Sequence, residues 1–303
     1  MHRKIKIILN PMADMGNAWR AARDLRSITE QHGNVDWSGT VYPGHAIELA
    51  KQSEGYDMVI AMGGDGTVHE VMNGLMQIPE NKRPILGVVP VGSGNDFGHG
   101  IGASTKPSEA LNRAIKGEPS TVDLGLMTDE SGRKEYFDNT LGIGFGAIVT
   151  IRSHRLPLLR GFLMYLTAVL QTILIDHNPI KMQIETDDKK WEESIIYLVL
   201  CNGPREGGGF LIAPEAKIDD GIFHYAMITN VSRLMMFRIV PEVMKGTHGR
   251  FKQVTMGTCK KFTLTADHPL YIHADGEIFS GPGTDVRSVA FEILPNVLKV
   301  VRG

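Results

Sequence analysis

The sequence predicts an N-terminal α/β domain with a mostly parallel sheet, followed by a C-terminal antiparallel β-sandwich. The length, 303 residues, corresponds to about two average domains. Across roughly the first 120 residues, apolar strand-like runs alternate with stretches of helical periodicity, which is typical of a parallel sheet covered by helices. Beyond Thr121, many short strand-like runs are separated by polar turns, which favours a sandwich. We therefore place the first domain at residues 1–122 and the second at residues 123–285.

The elements of the first domain follow from short apolar runs and from apolar residues at helical spacing. Strands are predicted at residues 6–9, 35–42, 58–62 and 84–91. Helices are predicted at residues 18–33, 46–55, 68–76 and 107–116.

The second domain is predicted to be rich in strands, with two helices among them. Strands are predicted at residues 120–127, 135–139, 181–186, 194–201, 222–229, 251–256, 261–266, 271–274 and 289–294. Helices are predicted at residues 161–175 and 232–245.

Composition excludes several classes of protein. Lys plus Arg number 32 against 34 Asp plus Glu, and 42% of the residues are hydrophobic, which excludes a disordered chain and a polybasic nucleic-acid binder. The two cysteines, Cys201 and Cys259, exclude a disulfide framework and suit a reducing compartment. The apolar run at residues 1–9 is too short for a signal peptide, and residues 161–175 are too few to span a bilayer. We therefore expect a cytoplasmic location.

A glycine-rich string at residues 63–67, which reads GGDGT, lies between a buried strand and an amphipathic helix. Such a junction points backbone N–H groups outward, and glycines let a phosphate approach them. We expect Thr67 to cap the helix, with Glu70 completing a capping box. Asp65 would hold Mg²⁺ or its water beside the phosphates. The alternative is a tight turn with a capped helix and no ligand.

This string resembles the GGDGT motif of diacylglycerol and sphingosine kinases, NAD kinases and 6-phosphofructokinases. Residues 89–97, VPVGSGNDF, are similar to the PxGTxNDF segment of the diacylglycerol kinase catalytic domain, with Ser93 where Thr is usual. Asn10-Pro11 resembles that family's opening NP motif, although Ala13-Asp14 departs from the small residues common there. Residues 40–46 resemble its TxxxG[DH]A segment.

The second half of the chain resembles the same family in the same order. The matching segments are residues 122–125 (VDLG), 139–147 (NTLGIGFGA), 207–221 (a GGG…P.A…DG block) and 275–277 (DGE). The resemblance implies a first domain similar to that of NAD kinase and phosphofructokinase, completed by residues 286–303. It also implies ATP and Mg²⁺ as cofactors. The implied nucleotide-binding residues are Asn10, Thr40, Gly63, Gly64, Asp65, Gly66, Thr67, Val68, His69 and Ser93.

The resemblance assigns the proton acceptor to Glu277, with Asp275 as its catalytic neighbour. The two acids would share a face of a strand, or Gly276 would turn the chain between them. In the family, the carbonyls of Lys217 and Ile222 together with Asp220 correspond to a metal-binding loop, although an Asp-Asp-Gly turn without metal is an equal alternative.

Candidates for the catalytic Mg²⁺ are Asp65, Asp96 and Asp123, which lie far apart in the sequence. We expect His69 to lie on the surface of its helix, near the phosphates.

The sequence therefore predicts an ATP- and Mg²⁺-dependent lipid kinase, with diacylglycerol as the leading substrate and phosphatidic acid as its product. A sphingoid base or another lipid alcohol is the alternative substrate. NAD kinase shares the glycine string, but residues 92–97 argue against it. A catalytically silent nucleotide- or lipid-binding regulator is a further alternative.

The expected partners are a lipid substrate at the membrane surface and a second copy of the chain as a homodimer, but not nucleic acid. A basic cluster of Arg152, His154, Arg155 and Arg160 leads into the apolar helix at residues 161–175, where no acid occurs. This segment would make peripheral contact with the inner face of the membrane. Its alternative is a helix packed on the sandwich, with solvated arginines.

Overall fold

The computed structural model describes residues 3–156 and 159–303, which fall into two compact units. The first unit comprises Met1–Val122 and Asn296–Gly303, and the second comprises Asp123–Pro295. Met1 and His2 lie outside the described residues. They belong to the run at residues 1–9 that the sequence predicts to be too short for a signal peptide. The C-terminal segment joins the first unit at Asn296, ten residues later than the Val286 that the sequence indicated.

The first unit is built on a parallel sheet. Its strands are β1 (Ile5–Leu9), β2 (Val35–Gly39), β3 (Met58–Gly63) and β4 (Ile85–Pro90). Its helices are α1 (Asn17–His32), α2 (His45–Lys51), α3 (Asp65–Leu75), α4 (Asp96–Gly100) and α5 (Pro107–Lys116). The strands lie in the order β4-β3-β1-β2 with parallel pairing throughout, and Val300 pairs with Leu86 at the β4 side.

Helices cover both faces of this sheet, so its central strands are buried. Ile5 and Ile7 of β1 pack in one core with residues of α1 and α5. Lys6, which points to the opposite face, donates its ammonium to the carbonyl of Leu49 in α2 at 2.7 Å. Strands buried on both sides read as continuous apolar runs, which is why the sequence located β1, β3 and β4 to within one or two residues.

The start of α3 differs from the prediction. The helix begins at Asp65, with Gly64 as its N-cap and no side-chain cap, so the expected capping box of Thr67 and Glu70 is wrong. The carboxylate of Glu70 instead accepts the N–H groups of Gly44 at 2.8 Å and Ala46 at 3.1 Å. Glu70 therefore caps the neighbouring helix, α2. The two glycines before Asp65 allow α3 to start earlier than the apolar pattern predicts.

The second unit is mostly antiparallel. Its strands are β5 (Pro119–Asp129), β6 (Lys134–Phe137), β7 (Thr140–Gly144), β8 (Ile180–Thr186), β9 (Lys190–Cys201), β10 (Phe223–Thr229), β11 (Val254–Cys259), β12 (Lys261–Ala266), β13 (Ile272–Ala274), β14 (Glu277–Ser280) and β15 (Ser288–Val301), of which β5 begins and β15 ends in the first unit. Its helices are α6 (Phe145–Ser153), α7 (Gly161–Ile175) and α8 (Arg233–Met244).

Two apolar cores stabilise the second unit. The strands run in the order β14-β13-β7-β9-β8-β12-β15, and β10 joins β9 to β11. One core lies among the strands and contains Phe137 stacked on Phe223 with ring centroids 5.5 Å apart. A second core joins the strands to the helices, with Val149, Ile173 and Ile239 contributed by α6, α7 and α8. The predicted fold class, an α/β domain and a β-sandwich, is confirmed.

Several predicted boundaries were wrong. The strand predicted at residues 35–42 ends at Gly39, because a turn at residues 42–44 leads into α2. The strand predicted at residues 251–256 is β11, three residues later. The helix α6 was missed because its run of β-branched residues, 148–151, resembles a strand. Among the described residues, no helix combines the length and the apolar character that crossing a bilayer requires.

Replacement of Glu70 by Ala is expected to lower the free energy of unfolding by about 1 to 2 kcal/mol, because α2 loses two charge-assisted caps. The midpoint of urea unfolding of the whole chain measures this change. Glu30→Ala, at an exposed position of α1, is the matched control. Equal midpoints for the two variants would contradict the capping role.

Candidate functional site

The predicted nucleotide-binding residues follow the carboxyl ends of neighbouring strands in the first unit. Asn10 follows β1, Thr40 follows β2, Gly63 ends β3, and Ser93 comes after β4. The strand order is β4-β3-β1-β2, so the chain adds β2 on one side of β1 and then β3 and β4 on its other side. The point where this order reverses, the topological switch point, lies between β1 and β3. Open α/β sheets bind ligands outside the carboxyl ends of their strands at such a point.

Two glycine loops touch at this edge, backbone against backbone. A Cβ atom on Gly92 would lie 2.3 Å from the Cα of Gly64, and one on Gly64 would lie 3.0 Å from the carbonyl oxygen of Gly94. The N–H of Asp65 donates to that same carbonyl at 3.0 Å. Only glycine allows this approach, so the loops after β3 and β4 form one structure.

Asp65 joins these loops through its side chain as well. Its carboxylate oxygens accept the backbone N–H groups of Asp96 at 3.0 Å and Phe97 at 3.3 Å, at the start of α4. The structure therefore brings two of the three acids predicted to bind Mg²⁺, Asp65 and Asp96, into one loop pair. Asp65 already has a structural role there.

The N-terminus of α3 faces the same loops and has no side-chain cap. The hydroxyl of Thr67 accepts a hydrogen bond from the side-chain amide of Asn10 at 3.2 Å, which connects the loops after β1 and β3. Uncapped N–H groups and the positive end of the helix dipole fit an anion such as a phosphate group. Val68 is buried and its N–H donates to the carbonyl of Gly64 at 3.1 Å, so its predicted contact with the nucleotide has no support in the structure.

His69 was predicted to lie on the helix surface, and that prediction was wrong. Its side chain is only 4% exposed, and Asn73 bonds to its ring at 3.2 Å one turn later in α3. Thr67, Val71 and Met72 of α3 are buried as well, so the covered part of this helix is wider than the apolar spacing predicted.

The third acid, Asp123, belongs to the second unit and is fully buried. Its carboxylate accepts the N–H of Gly221 at 2.6 Å, and its own N–H donates to the carbonyl of Ile218 at 2.7 Å. Asp123 therefore holds the loop that contains Asp220. Across residues 3–156 and 159–303, no three His, Cys, Asp or Glu side chains are grouped so that they could hold a metal ion.

The loop predicted to bind metal contains Lys217, Asp220 and Ile222. One oxygen of Asp220 accepts the N–H of Ile222 at 3.3 Å, and the other lies 3.2 Å from Nε2 of His224. The carboxylate thus has a turn and an imidazole as partners within the chain. Metal binding by this loop stays a prediction.

The acids Asp275 and Glu277 flank a tight hairpin turn. Asp275 and Gly276 have φ angles of +51° and +89°, and Ala274 pairs with Glu277, so two residues connect β13 to β14. The sequence allowed either a shared strand face for the two acids or a turn at Gly276, and the structure has the turn. The Asp275 carboxylate accepts three backbone N–H groups at 2.9–3.0 Å, those of Asp138, Asn139 and Thr140. Asp275 therefore holds the turn, whereas the Glu277 side chain is exposed, and the catalytic roles of both acids stay predictions.

A buried polar cluster beside β7 and β13 was missed by the sequence reasoning. The carboxylate of Glu206 accepts the hydroxyls of Tyr165 at 2.7 Å and Tyr197 at 3.0 Å, and Nε2 of His273 lies 3.0 Å from it. Burial alone would raise the pKa of Glu206, but His273 and the two hydroxyls outweigh burial and hold the pKa below its ordinary value of 4.5.

Glycines of β7 and α6 were a signal for this cluster. A Cβ atom on Gly142 would lie 2.2 Å from Nε2 of His273, and one on Gly146 would lie 2.6 Å from the ring of Tyr197. The glycine-rich segment at residues 139–147 therefore makes room for buried side chains.

Gly92→Ala is expected to destabilise the chain by about 1 to 3 kcal/mol, because the new Cβ atom meets backbone atoms of Gly64 that cannot rotate away. Thermal unfolding measures the effect. Gly100→Ala is the control, since a Cβ atom there meets nothing within 4 Å. If the two variants unfold at the same temperature, the close contact of the loops is wrong.

Glu206→Gln is expected to cost about 1 to 3 kcal/mol at neutral pH, because the buried carboxylate that accepts the hydroxyls of Tyr165 and Tyr197 is replaced by an amide with one acceptor oxygen. A carboxyl whose pKa is depressed by folding stabilises the folded state above its unfolded-state pKa, and this contribution is lost as pH falls through the folded-state pKa. The stability difference between wild type and variant should therefore be full above about pH 5 and shrink toward pH 3. Urea unfolding across this range measures it, and a constant difference would contradict the assignment.

The fold and the motifs define a class of protein. Residues 4–127 match the family described as the diacylglycerol kinase catalytic domain. Residues 139–302 match the YegS C-terminal NAD kinase beta sandwich-like domain. The chain belongs to the diacylglycerol kinase-like family of lipid kinases, as the sequence motifs indicated, and it carries that family's catalytic domain.

Individual relatives support this assignment. The chain is 34% identical over 250 residues to a protein of Chromohalobacter salexigens named "Probable lipid kinase YegS-like", with 80% of this chain and 76% of that protein covered. It is 29% identical over 308 residues to a protein of Mycobacterium tuberculosis named "Diacylglycerol kinase", with 99% and 95% covered. A crystal structure described as a diacylglycerol kinase from Bacillus anthracis str. Sterne covers 100% of this chain, and 97% of its own chain is covered, with a TM-score of 0.73 and 19% identity. At that identity, the likeness shows the fold alone.

Proposed function

We propose that this protein transfers the γ-phosphoryl group of ATP, with Mg²⁺, to the hydroxyl of a lipid, and that the lipid is diacylglycerol and the product phosphatidic acid. The observation that carries the proposal is the uncapped N-terminus of α3 beside the Gly64–Gly92 contact, at the switch point of the parallel sheet. Membership of the lipid kinase family supports the reaction class. The name of the relative from Mycobacterium tuberculosis supports the substrate.

The first unit would bind the nucleotide. The start of α3 would bind its phosphates through the N–H groups of Gly64 and Gly66, because those of Asp65 and Thr67 donate to the carbonyls of Gly94 and Gly64. Asn10, Thr40 and Ser93 border the same edge of the sheet. Mg²⁺ is commonly held by one or two carboxylates together with substrate phosphates, and it neutralises the charge that develops during transfer. Asp96 and Asp65 are the acids beside these loops, and Asp65 would bind the ion with the lone pairs that remain after its oxygens accept two backbone N–H groups. The ion would therefore arrive with ATP.

The second unit would supply the proton acceptor. As the lipid hydroxyl oxygen forms its bond to the γ-phosphorus, its proton passes to the carboxylate of Glu277, and the bond from that phosphorus to the bridging oxygen breaks to release ADP. Asp275 holds the hairpin turn through three N–H groups, which sets the position of Glu277.

A cytoplasmic location, at the inner face of the membrane, is part of the proposal. Cys201 and Cys259 are both free and buried, which suits a reducing compartment. Burial raises the pKa of the Cys259 thiol to about 12, so this residue has little nucleophilic thiolate at neutral pH.

Glu277→Gln is expected to lower kcat for lipid phosphorylation by about 100-fold or more, with the KM for ATP changed less than about twofold, because the amide cannot accept the proton. The assay follows transfer of radiolabelled phosphate from ATP to lipids in mixed micelles, and the labelled product is identified. Diacylglycerol is expected to be labelled ahead of a sphingoid base.

Glu215→Gln, at another exposed acid of the second unit, should keep wild-type kcat. A rise in the KM for ATP without a fall in kcat would make Glu277 a binding residue. Labelling of a sphingoid base would replace the proposed substrate. Binding of ATP without transfer to any lipid would indicate the silent regulator.

A further inference from the structure

The outer side of α7 exposes a row of leucines. Leu163, Leu170 and Leu174 are 62%, 38% and 60% exposed, and their spacing of seven and four residues places them in one line along the helix. The opposite side of α7 is buried, with Ala168 and Ile173 fully covered. An amphipathic helix on a protein surface normally shows polar residues there, so this row of leucines needs a partner.

The inner side of α7 is firmly packed, so its outer side is fixed in place. A Cβ atom on Gly207 would lie 2.5 Å from the Tyr165 ring, and one on Gly209 would lie 2.6 Å from the Phe162 ring. Both glycines lie in the loop that carries Glu206, which accepts the Tyr165 hydroxyl at 2.7 Å. Rotation of α7 to bury its leucines would break these contacts.

The start of α8 extends the exposed apolar surface. Leu234 is 80% exposed, and the guanidinium of its neighbour Arg233 donates to the carbonyl of Ile173 at 3.2 Å. Leu234 therefore stands beside the C-terminal end of α7. Arg238 follows Leu234 by four residues, on the same side of α8, and its side chain is exposed.

The exposed side of α7 and the start of α8 lie in acid-free stretches of the sequence, and Glu242 follows Arg238 one turn later in α8. No Asp or Glu occurs between Asp138 and Asp176 or between Asp220 and Glu242, the stretches that contain α7 and the exposed start of α8. Asp176 forms an ion pair with Arg152. This pair removes Arg152 from the basic cluster that the sequence indicated, whereas Arg155 is exposed. The exposed leucines are thus accompanied by two exposed cations, Arg155 and Arg238, of which Arg238 also lies 6.0 Å from the Phe251 ring.

We infer that this surface docks on an anionic lipid bilayer. We call it the docking face and define it by Leu163, Leu170, Leu174, Leu234, Arg155 and Arg238. The leucines would enter the boundary between headgroups and acyl chains, and the arginines would meet lipid phosphates. A second copy of the chain fits less well, because a twofold contact would bring arginines of both copies together. The inference rests on the proposed function only for its expectation that the substrate lies in a membrane.

Vesicle sedimentation of the full chain without ATP tests the docking face. Wild type is expected to bind phosphatidylcholine vesicles that contain phosphatidylglycerol about tenfold or more tightly than vesicles of phosphatidylcholine alone. The double variant Leu170→Gln/Leu174→Gln should bind the anionic vesicles about tenfold more weakly. The double variant Arg155→Glu/Arg238→Glu should lose the preference for anionic vesicles.

The controls change equivalent residues on another surface. Trp19→Gln replaces an exposed apolar residue of α1, 59% exposed, and Arg26→Glu reverses an exposed charge of the same helix. Both should bind vesicles as wild type does. Thermal unfolding confirms that each variant folds.

Vesicle binding by wild type that neither double variant weakens would overturn the docking face, as would absence of wild-type binding. Sedimentation velocity that showed a dimer dissolved by the leucine variant, without vesicle binding, would assign the face to a second copy and overturn the inference. Turnover of lipid in detergent micelles is measured separately. Its absence in wild type would count against the kinase, whereas the vesicle result would still decide the docking face.

Discussion

Contact between two glycine backbones, Gly64 and Gly92, is the constraint on which the candidate nucleotide site depends. The loops after β3 and β4 meet directly because glycine has no Cβ atom, and no Cβ atom would fit between them. Asp65 can then reach the N–H groups of Asp96 and Phe97. This arrangement holds the uncapped start of α3 at the switch point of the sheet. The strand order determines where a ligand can approach, and the glycine contact shapes the surface that it meets.

The acids of the candidate site divide into two kinds. Asp123 and Asp275 accept backbone N–H groups and hold turns, as Glu70 does between two helices. Glu277 is exposed at the start of β14. This division has a simple cause, because a carboxylate withdrawn from water must be satisfied by donors nearby and a backbone turn offers several. Asp123, Asp275 and Glu70 thus hold local turns or helix ends, whereas Glu277 is the acid left exposed on the hairpin that Asp275 holds.

The two sides of helix α7 have different surroundings. Its inner side packs into the apolar core of the second unit, and its Tyr165 joins the buried Glu206 cluster. Its outer side carries leucines at positions where water-facing helices carry polar residues. A lipid substrate is poorly soluble in water, so an enzyme of this family gains from a surface that can meet the bilayer in which such a substrate dissolves.

Local patterns in the sequence predicted the fold class, the parallel strands and the helices α1, α5 and α7, because apolar periodicity reports burial directly. The motifs also predicted that Gly63–Thr67 forms the junction between β3 and α3, although α3 begins within it, at Asp65. Only the tertiary structure decided which partners each polar side chain takes. Glu70 caps a different helix, His69 is buried, Asp123 lies in another unit from Asp65, and Arg152 pairs with Asp176. Most of these partners are distant in the sequence, and the apolar spacing of α3 does not tell which of its sides is buried. A hydrogen bond at about 3 Å forms only where the fold brings donor and acceptor together, so local patterns cannot predict it.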